Sequence, residues 1–402
     1  MKFSIKKSIF IKALSFACEP ILSGSGDNLP DYVKNLKINV TADKISFSGT
    51  NLDILFVYSI NKGESCNIET SGKCLLYIKT LLTILKKFKG DDFVDCYIVQ
   101  NENIEQQSKF VVKYKNSIQE LPCYLKFEYP ADSLKINKVV NAVKYPAKNF
   151  IESYNKVMFA CGQNFYRFDL RNLCIEFVDE KVFFVGTSGQ NIAIHESNCK
   201  MIDQPNNQIL LRKDAIPTDK KVYDQENDIA FSFGFNKKDN KVIYITHNTT
   251  DGLIEIFARP IDKKYPEWQK FHAMKKNGVK FISFDKKEFI DVIDRIAIVS
   301  PLVVCLYVNE DNKICFSGAS GDKLNCDIYE YLDGTSYIKN KIVYINTLML
   351  REGIKNISGD NIEINIIENE NSVLLDISGD EDKEFIYMLN TIKQGESEEQ
   401  ND

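Results

Sequence analysis

The side chains of this chain that could do chemistry are few, and they are badly spaced for it. Its three histidines, His195, His247 and His272, stand too far apart to suggest a metal site. His195 lies in an alternating stretch and suits a hydrogen-bonded strand residue better than a proton carrier. Eleven cysteines are scattered singly, with no Cys-x-x-Cys pair, which points to a reducing compartment rather than a disulfide framework or a zinc centre. Asp91-Asp92 and Asp380-Glu381-Asp382 fall in polar, loop-like stretches, where solvated turns account for them without acid–base catalysis. Ser188-Gly189 and Ser320-Gly321 lack a nucleophile-elbow context. No phosphate-binding loop, His-Glu-x-x-His helix or dinucleotide fingerprint occurs. The chain is expected to be non-catalytic, without metal or cofactor. A catalytic site at a junction between folding units would need clustered polar residues that the sequence does not display.

The 402 residues must therefore build something that works by shape. Hydrophobic residues at 44% and charged residues at 27% describe a globular chain long enough for two or three domains. No apolar run reaches the roughly 20 residues that span a bilayer, and Lys12 interrupts the apolar stretch after the basic N-terminus, so that segment reads as an amphipathic helix. Neither a membrane association nor a secretory signal is expected, and the location is expected to be cytoplasmic. A net charge of −5 argues against simple electrostatic binding of nucleic acid, unless the basic residues all face one way.

Internal repetition is the decisive feature. Lys44-Ile-Ser-Phe-Ser-Gly49, Lys181-Val-Phe-Phe-Val-Gly186 and Lys313-Ile-Cys-Phe-Ser-Gly318 are three strand-like runs ending in a glycine, 137 and then 132 positions apart. Each is preceded by apolar residues on one helical face: Ile9/Ala13/Phe16/Ala17, Phe150/Tyr154/Val157/Met158 and Phe289/Ile293/Ile296/Ala297. Each is followed by a short strand (Leu75–Ile78, Gln208–Leu211, Lys341–Ile345) that leads into a second helix at Lys79–Phe88, Arg212 to about Lys220 and Asn346–Ile354. Hairpin-like strands close each unit. The expected fold is α+β, three tandem copies of one unit over residues 1–132, 133–274 and 275–393, with a frayed acidic tail at 394–402.

With the repeat in hand, the sequence resembles the β subunit of bacterial DNA polymerase III, the sliding clamp. The residues carrying the resemblance are Met1-Lys2-Phe3-Ser4, Leu52-Asp53 after Ser48-Gly49-Thr50-Asn51, Thr187-Ser-Gly189-Gln-Asn-Ile-Ala193, Lys264-Tyr-Pro-Glu-Trp268 and Phe385-Ile-Tyr-Met-Leu389. It spans the chain apart from the acidic tail. The resemblance implies a head-to-tail homodimeric ring in which six units enclose double-stranded DNA without reading its sequence. It also implies partners: a second copy of the chain, the polymerase III α subunit, the clamp loader and other proteins bearing a clamp-binding motif. The alternative is a clamp-like paralogue that acts as a protein-binding scaffold without encircling DNA.

The resemblance assigns residues to three surfaces. For DNA they are Lys12, Lys79, Lys86, Lys87, Lys148, Arg167, Arg212, Lys213, Lys286, Lys287 and Arg351. For a pocket that takes short partner peptides they are Leu170, Thr187, Gly189, Gln190, Asn191, Ile192, Pro266, Lys270, Phe271, Asn346, Met349, Ser372, Ile386, Tyr387, Met388 and Leu389. For the subunit contact they are Phe110 and Val112 against Ile298 and Val299. The sequence departs from the family pattern at Gln190-Asn191, where the family commonly has His-Arg, and at Leu389, where it commonly has Pro. The Ser23–Asp27 loop lacks the family's arginine, and Asp169 replaces a common aromatic. Partner preference and DNA contact are therefore expected to differ in detail.

Overall fold

A computed structural model of the chain describes residues 1–23, 31–100, 108–162, 167–178, 180–198, 200–201, 208–217, 222–319, 326–369 and 372–392. The acidic tail, Ser320-Gly321 and most of the Ser23–Asp27 loop lie outside these residues.

The chain runs through the same order of elements three times. The first pass is β1 (Lys2–Lys6), α1 (Lys7–Ser23), β2 (Asn35–Val40), β3 (Lys44–Thr50), β4 (Ile54–Asn61), β5 (Cys66–Thr70), β6 (Gly72–Tyr77), α2 (Ile78–Lys87), β7 (Phe93–Val99), β8 (Ser108–Tyr114) and β9 (Ser117–Tyr124). The second is β10 (Ile136–Pro146), α3 (Ala147–Met158), β11 (Asn172–Val178), β12 (Lys181–Thr187), β13 (Asn191–Asn198), β14 (Lys200–Met201), β15 (Gln208–Arg212), β16 (Asp228–Asn236), β17 (Lys241–Thr249) and β18 (Gly252–Ala258), followed by α4 (Gln269–Met274). The third is β19 (Val279–Asp285), α5 (Lys286–Val299), β20 (Val304–Val308), β21 (Ile314–Ala319), β22 (Asp327–Leu332), β23 (Gly334–Ser336), β24 (Ile342–Ile345), α6 (Thr347–Asn356), β25 (Asn361–Asn369), β26 (Ser372–Gly379) and β27 (Phe385–Asn390). One expectation fails here. Between β15 and β16 the described residues hold a single 3-10 turn, Lys213–Ala215, and no second helix.

Strand pairing repeats with the same logic, antiparallel throughout. β1 lies between β5 and β7, β10 between β14 and β16, and β19 between β23 and β25. The runs β6-β2-β3-β4, β15-β11-β12-β13 and β24-β20-β21-β22 correspond likewise. Neighbouring repeats join edge to edge: β4 pairs with β18 over seven residue pairs, and β13 with β27 over five. These joins make a 14-stranded and a 9-stranded sheet, with a 4-stranded sheet left over.

By compactness the chain divides into two units: Met1–Ile151 with Cys199–Pro205 and Asp214–Ile261, and Glu152–Asn198 with Asn206–Lys213 and Asp262–Asp402. The 14-stranded sheet belongs to the first unit, the other two sheets to the second. The division cuts through the second repeat because each large sheet runs on from one repeat into the next.

The repeated glycines have a steric cause. A Cβ on Gly49 would lie 1.8 Å from the Ala17 carbonyl oxygen of α1, and one on Gly186 would lie 2.2 Å from that of Val157 in α3. On Gly318 it would meet the Ser300 Cβ at 2.6 Å, just past α5. In each repeat the central strand presses its backbone against the end of the preceding helix, which only glycine allows. The helical faces read from the sequence supply the packing: Phe16 and Phe56 approach to 4.9 Å, Phe150 and Phe231 to 4.8 Å, and Phe289 and Phe316 to 5.6 Å between ring centroids.

A second repeated device ties the end of a repeat back to its own central strand. The buried Tyr129 hydroxyl donates to the Ser48 carbonyl, and the buried Tyr265 hydroxyl donates to the Val185 carbonyl, both at 3.2 Å. Each acceptor immediately precedes a repeated glycine, and each tyrosine precedes a proline. Trp268 packs as the sequence suggested, with its ring 4.9 Å from Phe183 and its indole N–H donating to Glu176 Oε2 at 2.8 Å.

Candidate functional site

Every residue assigned to the peptide pocket lies in the second compact unit, and strand pairing shows how they are arranged. Across β13 and β27, Asn191 stands opposite Leu389, Ile192 opposite Met388, Ala193 opposite Tyr387 and Ile194 opposite Ile386. Because strand side chains alternate, Ile192, Ile386 and Met388 share one face, extended by Thr187 opposite Ile192. Asn191, Tyr387 and Leu389 share the other. Tyr387 is buried against α6: its hydroxyl donates to the Met349 carbonyl at 2.8 Å and accepts from Asn191 Nδ2 at 3.3 Å. Its ring fills the space above Gly353, where an added Cβ would come within 1.9 Å. Asn191, Tyr387 and Leu389 therefore face away from Ile192, Ile386 and Met388, on the side of the sheet where Tyr387 meets α6.

The residues assigned to the pocket combine buried apolar side chains with exposed polar ones. Leu170, Ile192, Ile386 and Met388 are buried, whereas Gly189, Gln190, Lys270 and Ser372 are exposed, and Pro266 and Phe271 are half-buried. A side-chain network sets the turn after β12: Ser188 Oγ donates to Asn191 Oδ1 at 2.6 Å, and the Gly189 N–H donates to Thr187 Oγ1 at 3.1 Å. Gly189 has φ of 92°, a left-handed conformation that favours glycine. Lys270 is tied to Glu267 at 2.5 Å. Asn346, half-buried, caps α6 by accepting from the Met349 N–H at 2.9 Å.

Beside these residues sits a group the sequence reading missed. Asp376 of β26 stands opposite Met388 and is 2% exposed, and its Oδ1 has no hydrogen-bond partner among the described residues. Burial pushes its carboxyl up to about 6. Asp382, read as part of a solvated turn, is also buried; it pairs with Lys156 of α3 and accepts from the Ser358 N–H at 2.7 Å. Nothing in a single sequence marks these two acids as buried. The tyrosine latch did leave a signal, since Tyr129-Pro130 and Tyr265-Pro266 repeat 136 positions apart, close to the glycine spacing.

The basic residues assigned to DNA divide by what already holds them. Lys86, Lys87, Lys148 and Lys287 are exposed. Lys12 is half-buried, with its ammonium 5.8 Å from the Tyr58 ring centroid. Arg167 is gripped by Asp169 through two hydrogen bonds of 3.3 and 3.1 Å. Arg212 and Lys213 are half-buried, and the Lys213 carbonyl accepts from the Tyr154 hydroxyl. Lys286 turns its ammonium onto the Lys355 and Ile357 carbonyls at the end of α6, and burial lowers its pKa. Arg351 pairs with Asp294 and Glu352. Lys79 lies in α2, with its side chain outside the described residues.

The residues assigned to the subunit contact fare unevenly. Phe110 and Val112 are 0% and 1% exposed in β8, a strand flanked on both sides by β7 and β9, so they belong to the core of their unit and form no outer patch. Ile298 is 83% exposed and Val299 half-buried at the end of α5.

Residues 1–131 match the family model for the N-terminal domain of the DNA polymerase III β subunit. The β sliding clamp of Mycoplasma capricolum is 24% identical over 396 residues, covering 95% of this chain and 96% of that protein. Among solved structures, DNA polymerase III subunit β from Pseudomonas aeruginosa superposes with a TM-score of 0.79 at 16% identity, over 98% of this chain and 100% of the other. The Bacillus subtilis sliding clamp gives 0.77 at 16% identity, over 98% and 99%. The chain is similar along its length to DNA polymerase III β sliding clamps, and its first 131 residues match that family's N-terminal domain.

A sliding clamp is a non-catalytic processivity factor, and the histidines here are consistent with that. His195 Nδ1 hydrogen-bonds Ser153 Oγ at 2.9 Å. His247 Nε2 accepts from the Asp224 N–H at 2.8 Å, while Nδ1 faces the Asp228 carbonyl at 3.1 Å. Burial lowers the pKa of both rings and keeps them neutral packing elements. Among the described residues no helix is long and apolar enough to cross a membrane.

Proposed function

We propose that two copies of this clamp close head to tail around duplex DNA through β22 of one copy and β9 of its partner. The observation that carries the reading is the pattern of joins between repeats. β4, β13 and β22 are equivalent strands, as are β9, β18 and β27. Within the chain β4 takes β18 and β13 takes β27, which leaves the outer side of β22 and the Ser117–Pro122 stretch of β9, beyond its short pairing with β6 at Cys123 and Tyr124, as the unmatched pair. Repetition also supplies the register. Gly318 stands opposite Ile328 as Gly49 stands opposite Phe56, and the two-residue turn before Ser117 matches the one before Gly252. Since Phe56 pairs with Ile256, Ile328 would face Leu121 of the partner copy and Tyr331 would face Ile118. Ile118 and Tyr331 are each 58% exposed in the single chain, which a seam between copies would remedy.

On this reading the chain comprises three clamp domains, 1–132, 133–274 and 275–393. The exposed cations of the helices attract phosphate without reading bases. The groove over Ile192, Ile386 and Met388 takes short apolar peptides from the polymerase α subunit, the clamp loader and related proteins. The ten cysteines described are all free, which supports a cytoplasmic location. The test is solution mass by light scattering across a dilution series. A particle of about twice the 46.1 kDa chain mass is expected. A monomer persisting at micromolar concentration would overturn the closed ring.

A further inference from the structure

We propose that the clamp's attraction for DNA is graded along the chain: the helix pair of the first repeat holds phosphate, while Asp294 withholds the cations of the last repeat from it. This rests on the encirclement reading and assigns the roles of particular residues within it.

The two helix pairs have the same architecture, and in each the first lysine donates to backbone carbonyls (Lys7 to Phe88, Lys286 to Lys355 and Ile357), but their balance of cations and acids differs. α1 packs against α2, and together they carry five lysines and one acid, Glu19. Lys86 and Lys87, in the last turn of α2, are exposed and form no ion pair among the described residues. α5 packs against α6, and this pair carries five cations against four acids. Its cations are already engaged. Arg351 meets Asp294 through Nε and Glu352 Oε1 through Nη1 at 3.1 Å, and Lys355 lies 3.5 Å from Asp294. Arg295 is held by both oxygens of Glu330 at 2.6 and 2.8 Å. Lys286 is spent on backbone carbonyls. Lys287 alone of the five has no acidic or carbonyl partner among the described residues.

Asp294 is the hinge of this arrangement because it touches both Arg351 and Lys355. Its hydrogen bond with Arg351 holds its carboxyl below the usual range, so it is charged at any working pH. A phosphate approaching Arg351 must displace a carboxylate of the same sign and similar geometry. That exchange neutralises no additional charge, so it adds little to the counterion release that drives clamp–DNA attraction. At Lys86 and Lys87 a phosphate meets no such competitor.

The experiment is binding of the full-length clamp to a short fluorescein-labelled duplex, followed by anisotropy from about 50 to 200 mM salt, with thermal midpoint and solution mass checked for each variant. The double variant Lys86→Gln/Lys87→Gln is expected to weaken binding about tenfold at low salt and to flatten the salt dependence. Removing the pair together, Arg351→Gln/Asp294→Asn, is expected to leave affinity within about twofold. Asp294→Asn alone frees Lys355 and leaves Arg351 with Glu352 as its one acidic partner, and is expected to tighten binding several-fold and steepen the salt slope by about one unit per subunit. Equal weakening by the two double variants, or no response to Asp294→Asn, would overturn the graded grip while leaving encirclement standing. A wild-type clamp that shows no salt-dependent binding at all would remove both.

Discussion

At the scale of single residues, Asp376 has the clearest consequence for stability. Its carboxylate is buried beside Met388 with one oxygen unpaired, and burial raises its pKa from 3.8 to about 6. Below pH 3.8 the group is protonated in the folded and unfolded chain alike and costs the fold nothing. Between 3.8 and about 6 the unfolded chain loses the proton first, and above that the folded state bears the full desolvation cost. Asp376→Asn should therefore raise thermal stability at pH 7.5 by up to about 3 kcal/mol, with the gain vanishing near pH 4. A calorimetric pH series reads this directly, and a gain independent of pH would show that the charge is not the cause. The buried histidines work in the opposite sense. Their lowered pKa values mean that stability present above the unfolded value of 6.5 declines as pH falls below it.

At the scale of elements, three glycines and two tyrosines set how strands meet helices and how the end of a repeat returns to its central strand. Alanine at Gly49 or Gly186 would drive a methyl into a helix carbonyl, and backbone on both sides must move. Each substitution should cost about 3 kcal/mol. Gly318→Ala should cost less, because its obstacle is the Ser300 side chain. Urea titrations of the three variants test this ranking, and equal costs would argue against it. Tyr129→Phe and Tyr265→Phe each leave a carbonyl without its donor and should cost about 1–2 kcal/mol. The glycine spacing was legible in the sequence because each repeat meets the same steric demand. The latch was equally written there as a recurring Tyr-Pro, but its meaning needs the acceptor carbonyl, which lies about 80 residues earlier in each case.

At the scale of the whole molecule, the proposed ring would attract a polyanion by placement of charge, since the chain as a whole carries −5. The lysines concentrated on α1 and α2 are its clearest instance. The proposed closure depends on β9 and β22 finding each other across two copies, so a charge at the seam should open it. Ile118→Asp should shift the light-scattering mass toward that of one chain at a protein concentration where the wild type is dimeric. Its circular dichroism should be unchanged, because Ile118 is 58% exposed and contributes little to the core. A dimer unaffected by this change would place the seam elsewhere.

What the sequence determined by itself is what repeats locally: the helical faces, the glycine at the end of each central strand, the triplication and the lack of any catalytic spacing. These features are legible because periodicity and steric demand act over a few residues at a time. What only the tertiary structure decided is which surfaces remain free. Phe110 and Val112 alternate as strand residues should, yet β8 has neighbours along both sides, whereas β9 meets β6 only at Cys123 and Tyr124 and leaves the outer side of Ser117–Pro122 unpaired among the described residues. Asp376 and Asp382 look like surface acids until strands distant in sequence close over them. Arg351 looks like a DNA ligand until α5 brings Asp294 against it. Neighbours on other strands and helices set burial and pairing, and the spacing within any one segment carries no record of them.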